Sequence, residues 1–289
     1  MEKTFETPGG VRLLVHNEAG LVAVSAGPGT ETTVRLEALS PGAEELVEQA
    51  VVECRTSGDR HHVIVKVPKQ GIRLLRRHAV AVRVDLPEGS DVEVTVASAD
   101  VDVTGPIGAG DFTTASGDVS TDDVGANLVA KSASGDFTVG AVGGDLKAQT
   151  ASGDLRCSSV AGRTAFTTVS GDLEVGAAAR AVEVKATSGD VRLGEVAQGA
   201  RVTNVSGDVR VLVLDEGSLH VRSVSGNVLV GVATGVDLHV DVQTVSGEIT
   251  SDIDLGDAPG PQRRDARVDV SVRSVSGDVA IERALEQVA

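Results

Sequence analysis

The stretch "TVSGDLEV", Thr168–Val175, decides the fold because close copies of it surround it. "SASGDFTV" begins at Ser132, "TASGDLRC" at Thr150, "ATSGDVRL" at Ala186 and "NVSGDVRV" at Asn204, in steps of 18 residues. Taking the acid as position 1 gives Asp100, Asp118, Asp136, Asp154, Asp172, Asp190 and Asp208 with no slip of phase. Asn227, Glu248 and Asp278 keep the Ser-Gly prefix at wider spacings of 19, 21 and 30. Those increments read as loop insertions after residue 208 on a retained coil.

Position 2 is Val119, Phe137, Leu155, Leu173, Val191 or Val209, and position 4 is Thr121, Val139, Cys157, Val175, Leu193 or Val211. The residue between them is mostly polar, so the period is that of a strand with one buried face. A second alternation follows at positions 11 and 13, as in Leu146/Ala148, Thr164/Phe166 and Val182/Val184. Each unit therefore holds two short strands and two turns. Short strands and small turn residues at a fixed period near 20 predict a stacked solenoid in which each coil covers the apolar face of the next.

The expected fold is thus all-β: a β-solenoid of about ten 18-residue coils, two strands per coil, with parallel stacked sheets. Composition agrees, since the 289 residues include no Trp or Tyr and only four Phe, as a narrow interior requires. The regular region is expected over 82–289. Residues 1–81 are less periodic and read as a β-rich capping segment with a helix near 43–54, where Pro and acidic residues lead an apolar face. "IERALEQVA" reads as a C-terminal cap near 281–289.

A formal charge of −16 disfavours nucleic acid and anionic lipid as partners. No apolar run is long enough to span a bilayer, and "MEKTFETPGG" has no basic and apolar leader pattern, so a cytoplasmic protein without membrane insertion is expected. Cys54 and Cys157 lie in no CxxC or Cys/His cluster, and Cys157 takes an inward position.

The "SGDV" and "SGDL" coils behind an N-terminal "F-x-T-P-x-G" at Phe5–Gly10 resemble the DUF4097 group of bacterial proteins, common in actinobacteria and labelled "putative adhesins". The resemblance covers most of the chain. It implies a right-handed β-solenoid with no established activity.

Three readings compete for the triplets Ser116-Gly117-Asp118, Ser134-Gly135-Asp136, Ser152-Gly153-Asp154, Ser170-Gly171-Asp172, Ser188-Gly189-Asp190 and Ser206-Gly207-Asp208. In the structural one, Gly permits φ > 0 at a corner, while Ser and Asp accept hydrogen bonds from backbone N–H groups the turn leaves unpaired. In the second, Asp118, Asp136, Asp154, Asp172, Asp190 and Asp208 form a calcium ladder, relieving repulsion between carboxylates about 4.8 Å apart. Repeat-bound calcium usually draws on several Gly and an Asp in each half-coil, whereas here there is one Asp per coil, replaced in two coils by Asn227 and Glu248. The third is a carbohydrate-active β-helix enzyme, which would use clustered carboxylates. It finds no aromatic platform, and GxSxG, HExxH and P-loop motifs are missing from the sequence.

The structural reading is preferred. It gives a non-enzymatic scaffold, without cofactors, whose partner is another protein or a second copy. One basic stretch, "KVPKQGIRLLRRHAVAVR", gathers Lys66, Lys69, Arg73, Arg76, Arg77 and Arg83 and is the candidate partner-binding surface. A weaker echo lies near 255–270.

Overall fold

Alternating apolar and polar residues force strands with one buried face. The computed structural model shows such strands over the described residues, 1–58, 60–69, 78–253 and 266–284. The chain forms two compact units, Met1–Gly144 and Asp145–Ala289.

In the first unit, β1 (Glu2–Glu6), β2 (Val11–Asn17), β3 (Gly20–Gly27) and β4 (Glu31–Ala38) precede the helix α1 (Glu44–Gln49). Then come β5 (Val51–Ser57), β6 (Arg60–Lys66), β7 (Val80–Pro87), β8 (Asp91–Val96) and β9 (Asp100–Thr104). β10 (Gly110–Thr113), β11 (Val119–Thr121), β12 (Leu128–Lys131) and β13 (Phe137–Val142) complete it. One sheet runs β1-β4-β7-β3-β9-β11-β13 and the other β12-β10-β8-β2-β6-β5. Among the described residues of this unit, pairing is antiparallel only toward the outer edges, β1 to β4, β4 to β7 and β5 to β6.

The register repeats the sequence period: Val101, Val119 and Phe137 are aligned, as are Val92, Gly110 and Leu128. The N-terminal segment does more than cover this stack. β2 pairs with both β6 and β8, and β3 with both β7 and β9, all in parallel, so Val11–Gly27 is itself a layer.

The helix is shorter than the 43–54 expected from sequence. It covers Glu44–Gln49 and buries Val47, and from Val51 the chain is extended. Val52 and Cys54 there find strand partners in Val65 and Val63, and that tertiary pairing overrides the helical pattern of "ELVEQAVVEC".

The second unit contains β14 (Leu146–Gln149), β15 (Leu155–Val160), β16 (Thr164–Thr168), β17 (Leu173–Ala178) and β18 (Val182–Ala186). It continues with β19 (Val191–Val196), β20 (Gly199–Thr203), β21 (Val209–Leu214), β22 (Gly217–Arg222) and β23 (Val228–Val232). The last strands are β24 (Asp237–Ser246), β25 (Ile249–Ser251), β26 (Arg267–Ser276) and β27 (Val279–Arg283). Its sheets run β15-β17-β19-β21-β23-β27-β25 and β14-β16-β18-β20-β22-β26-β24.

Columns of inward side chains form the core. Leu155, Leu173, Val191, Val209, Val228 and Val279 share one register line and are all fully buried. Phe166, Val184, Val202, Val221 and Val272 form a line in the other sheet. Each such side chain contributes about 1.5–3 kcal/mol through its removal from water, so these columns are a large part of what holds the stack together.

The wider spacings after residue 208 do not hold the coils in sequential order. The coil of β26 and β27 lies between the coil of β22 and β23 and that of β24 and β25. The chain skips a layer and then returns to fill it. The expected cap near 281–289 lies in part on β27, and residues 285–289 are outside the described residues. Among the described residues no helix is long and apolar enough to cross a membrane.

Candidate functional site

The Ser-Gly-Asp corners join the two sheets, and their hydrogen bonds show what each residue does. At the acid, the backbone C=O accepts from the N–H of the neighbouring coil's position 2, as in Leu173 N–H to Asp190 O and Val191 N–H to Asp208 O. Its own N–H takes a side-chain acceptor one coil away. The Asp118 carboxylate accepts from Asp136 N–H at 2.9 Å in the first unit. In the second, Asp154 accepts from Asp172, Asp172 from Asp190, and Asp190 from Asp208, at 2.9, 2.7 and 2.8 Å.

The ladder continues from Asp208 to Asn227 N–H, from Asn227 Oδ1 to Asp278 N–H, and from Asp278 to Glu248 N–H. It thus follows the spatial order of the coils and not the chain order. The amide oxygen of Asn227 does the work of a carboxylate, so the rung needs an acceptor and no charge. Arginine also holds the second carboxylate oxygen of Asp154 and of Asp208: Arg156 at 3.2 Å and Arg210 at 2.7 Å.

The serine does not accept the glycine amide. Ser116 and Ser134 instead donate long hydrogen bonds to the carbonyls of Ala97 and Ala115. The acceptor is the residue two before the serine, which the sequence reading missed. Gly117, Gly135, Gly153 and Gly171 N–H donate to Thr114, Ser132, Thr150 and Thr168 hydroxyls at 2.6–2.8 Å. The signal was available, since Thr, Ser or Asn stands there in every repeat from 114 onward except at Ala186.

From Ala186 onward the corner changes, and it stays changed where Ser223 and Ser274 again supply a hydroxyl. Gly189 N–H goes to the Ser206 carbonyl, and Gly207, Gly226 and Gly277 follow with Ser225, Ser276 and Ser246. Only in these later corners is the glycine φ positive, +138° at Gly189 and +118° at Gly207. The expectation of φ > 0 therefore fails at Gly117, Gly135, Gly153 and Gly171. Glycine is needed there for a different reason: a Cβ at Gly135 would lie under 3 Å from the Gly117 carbonyl, and one at Gly171 equally close to that of Gly153.

The basic stretch divides. Arg73, Arg76 and Arg77 lie outside the described residues. Lys66 ends β6, Lys69 follows it, and both are exposed, while Arg83 is on β7 in the other sheet and pairs with Glu37. Burial and the nearby Lys66 push the half-buried His16 imidazole below the usual histidine range. The thiol of buried Cys157 is pushed up to about 11 by desolvation, which keeps it protonated.

On the outer face of the β14–β22 sheet an open trough of about 640 Å³ is lined by Arg163, Ala165, Glu183, Gly199, Arg201 and His220, among others. Glu183 is the one carboxylate in its lining. The hydrogen bond from Lys185 holds that carboxyl below its ordinary range, opposite to what a general acid requires. Among the described residues no three His, Cys, Asp or Glu side chains converge as a metal cluster.

Parallel coils of two strands, tied at the corners by side-chain acceptors, define a β-solenoid repeat protein. The Toastrack DUF4097 family profile matches residues 45–175 and 125–282, and the chain belongs to that family. No curated protein sequence matches it. Among solved structures it is similar to a "putative adhesin" from Parabacteroides distasonis, at 12% identity and a TM-score of 0.43, covering 98% of this chain and 96% of that one. A "putative adhesin" from Bacteroides fragilis is 10% identical with a TM-score of 0.39, at 98% and 96% coverage. A "putative cell adhesion protein" from Clostridium sporogenes is 10% identical with a TM-score of 0.28, at 98% and 99% coverage.

Proposed function

We propose that this protein is a non-enzymatic β-solenoid scaffold that works by binding another protein or further copies of itself. The observation that carries the reading is the acid ladder. The repeated Asp accepts a backbone N–H from the adjoining coil and so is committed to the corner. What the repeat builds is an ordered surface of charged side chains on a backbone held in register. Protein partners fit such a surface better than nucleic acid does, given the net charge of −16.

The test combines sedimentation velocity of the full chain at rising concentration with capture and identification of partners on the immobilised protein. Concentration-dependent assembly, or a partner whose binding is reproduced with purified components, supports the scaffold. A strict monomer that binds no protein, or a chain that turns over a carbohydrate substrate, overturns it.

A further inference from the structure

We propose that the β24 edge is a self-association surface on which a second copy of this chain adds its own β24 in antiparallel register centred on Val240. This rests on the scaffold reading and names its partner.

The β24–β25 coil is the outermost layer of the second unit, and among the described residues no strand pairs with its far edge. Its inward positions show the lack of cover. Leu238, Val240 and Val242 are half-buried and Ile249 is 50% exposed, whereas Val268, Val270, Val272 and Val279, one coil inward, are fully buried. Val245 is 83% exposed. Natural sheets blunt such edges with Lys, Pro, bulges or short strands. β24 has no Lys or Pro and is ten residues long, "DLHVDVQTVS", its charges being the exposed Asp237 and Asp241. The edge strand β1 of the first unit, "EKTFE", is short and charged.

The register follows from the backbone and the charges. Asp237 N–H bonds Ala266 O on the β26 side. Alternate amides point the same way, so those of Leu238, Val240 and Val242 point outward and must form the new bonds. Centring the pair on Val240 sets Leu238 against Val242 and Asp237 against Gln243. It also sets His239 against Asp241 twice, at non-hydrogen-bonded positions with Cα atoms about 4.5 Å apart. Centring on Asp241 would oppose two carboxylates, and centring on His239 would oppose Asp237 with Asp241. Like charges directly opposite are destabilising. A second copy brings the same half-covered apolar line and sets a His239 ring, a hydrogen-bond donor, against each Asp241 carboxylate, which an unrelated acidic or basic peptide would not.

Sedimentation velocity on the full chain tests this. Wild type is expected to dimerise reversibly. His239→Asp sets two carboxylates opposite each other at both symmetric positions and should raise the dissociation constant about tenfold. The double variant H239D/D241K sets opposite charges across the axis and should recover at least wild-type association. Both positions face solvent, so unfolding of the dilute monomers should be unchanged and separates misfolding from lost pairing. A wild type that assembles but ignores the single substitution, or a double variant that is not rescued, overturns the β24 pairing and leaves the scaffold reading intact. So does a monomeric wild type that binds another protein. A monomer that binds nothing overturns both.

Discussion

The Asp172 carboxylate accepts the backbone N–H of Asp190, one coil away, at 2.7 Å. That amide faces no backbone carbonyl, because the neighbouring carbonyl bonds are made by positions 1 and 2 of adjacent coils. The side chain completes the corner, and the same bond recurs through Asp190 and Asp208.

Asp172→Ala should therefore destabilise the protein by about 1 kcal/mol, the net worth of an exposed hydrogen bond. Asp172→Asn should be nearly neutral, as Asn227 already serves in the ladder. Urea unfolding of the two variants with EDTA or with calcium decides between corner and ion. A calcium ladder requires that Asn fail as badly as Ala and that EDTA lower the wild-type midpoint.

Thr168→Val keeps shape but removes the acceptor of the buried Gly171 amide. A loss of about 2 kcal/mol is expected, with Thr168→Ser much milder. Equal losses for Val and Ser would mean that packing, not the hydroxyl bond, matters there.

Gly135→Ala drives a Cβ into the Gly117 carbonyl of the adjoining corner, a contact that backbone must move to relieve. A loss of about 3 kcal/mol is expected. Gly125→Ala is the control, since its Cβ would stand 3.4 Å from Ile107 O in ordinary contact. Indistinguishable thermal midpoints for the two would remove the stacking argument.

His16 carries a pH prediction. Burial, with Lys66 and Lys69 nearby, lowers its folded pKa below the unfolded value near 6.5, and Glu93 opposes this only in part. In the window below pH 6.5 the unfolded chain binds the extra proton, so stability falls as pH falls through it. His16→Gln should flatten the stability profile between about pH 5 and 7 relative to wild type. An unchanged slope would show that other groups set the acid limit.

Inward positions were legible because side-chain direction follows from a period of two: Leu173, Val175 and Phe166 are buried where the alternation puts them. The role of Asp172 was legible in kind, but the donor's address one coil away was not. Thr168 was missed even though its position repeats, because a hydroxyl two residues before Ser-Gly-Asp suggests a strand end more than a cap. The order of the last coils was hidden for a deeper reason. Parallel coils of one period pair equally well in either order, so nothing in "SVSGN", "TVSGE" and "SVSGD" says which neighbours which.

The returning coil has a consequence for biosynthesis. As the chain emerges, β24 and β25 are made before the layer that must lie beneath them, β26 and β27. The outer layer of the second unit cannot reach its native neighbour until β26 and β27 have been translated. In an ordinary repeat array, loss of the tail shortens the stack by one outer repeat. Here a break after residue 253 removes an interior layer and strands the one outside it, so an incomplete chain is marked as incomplete by its own exposed coil.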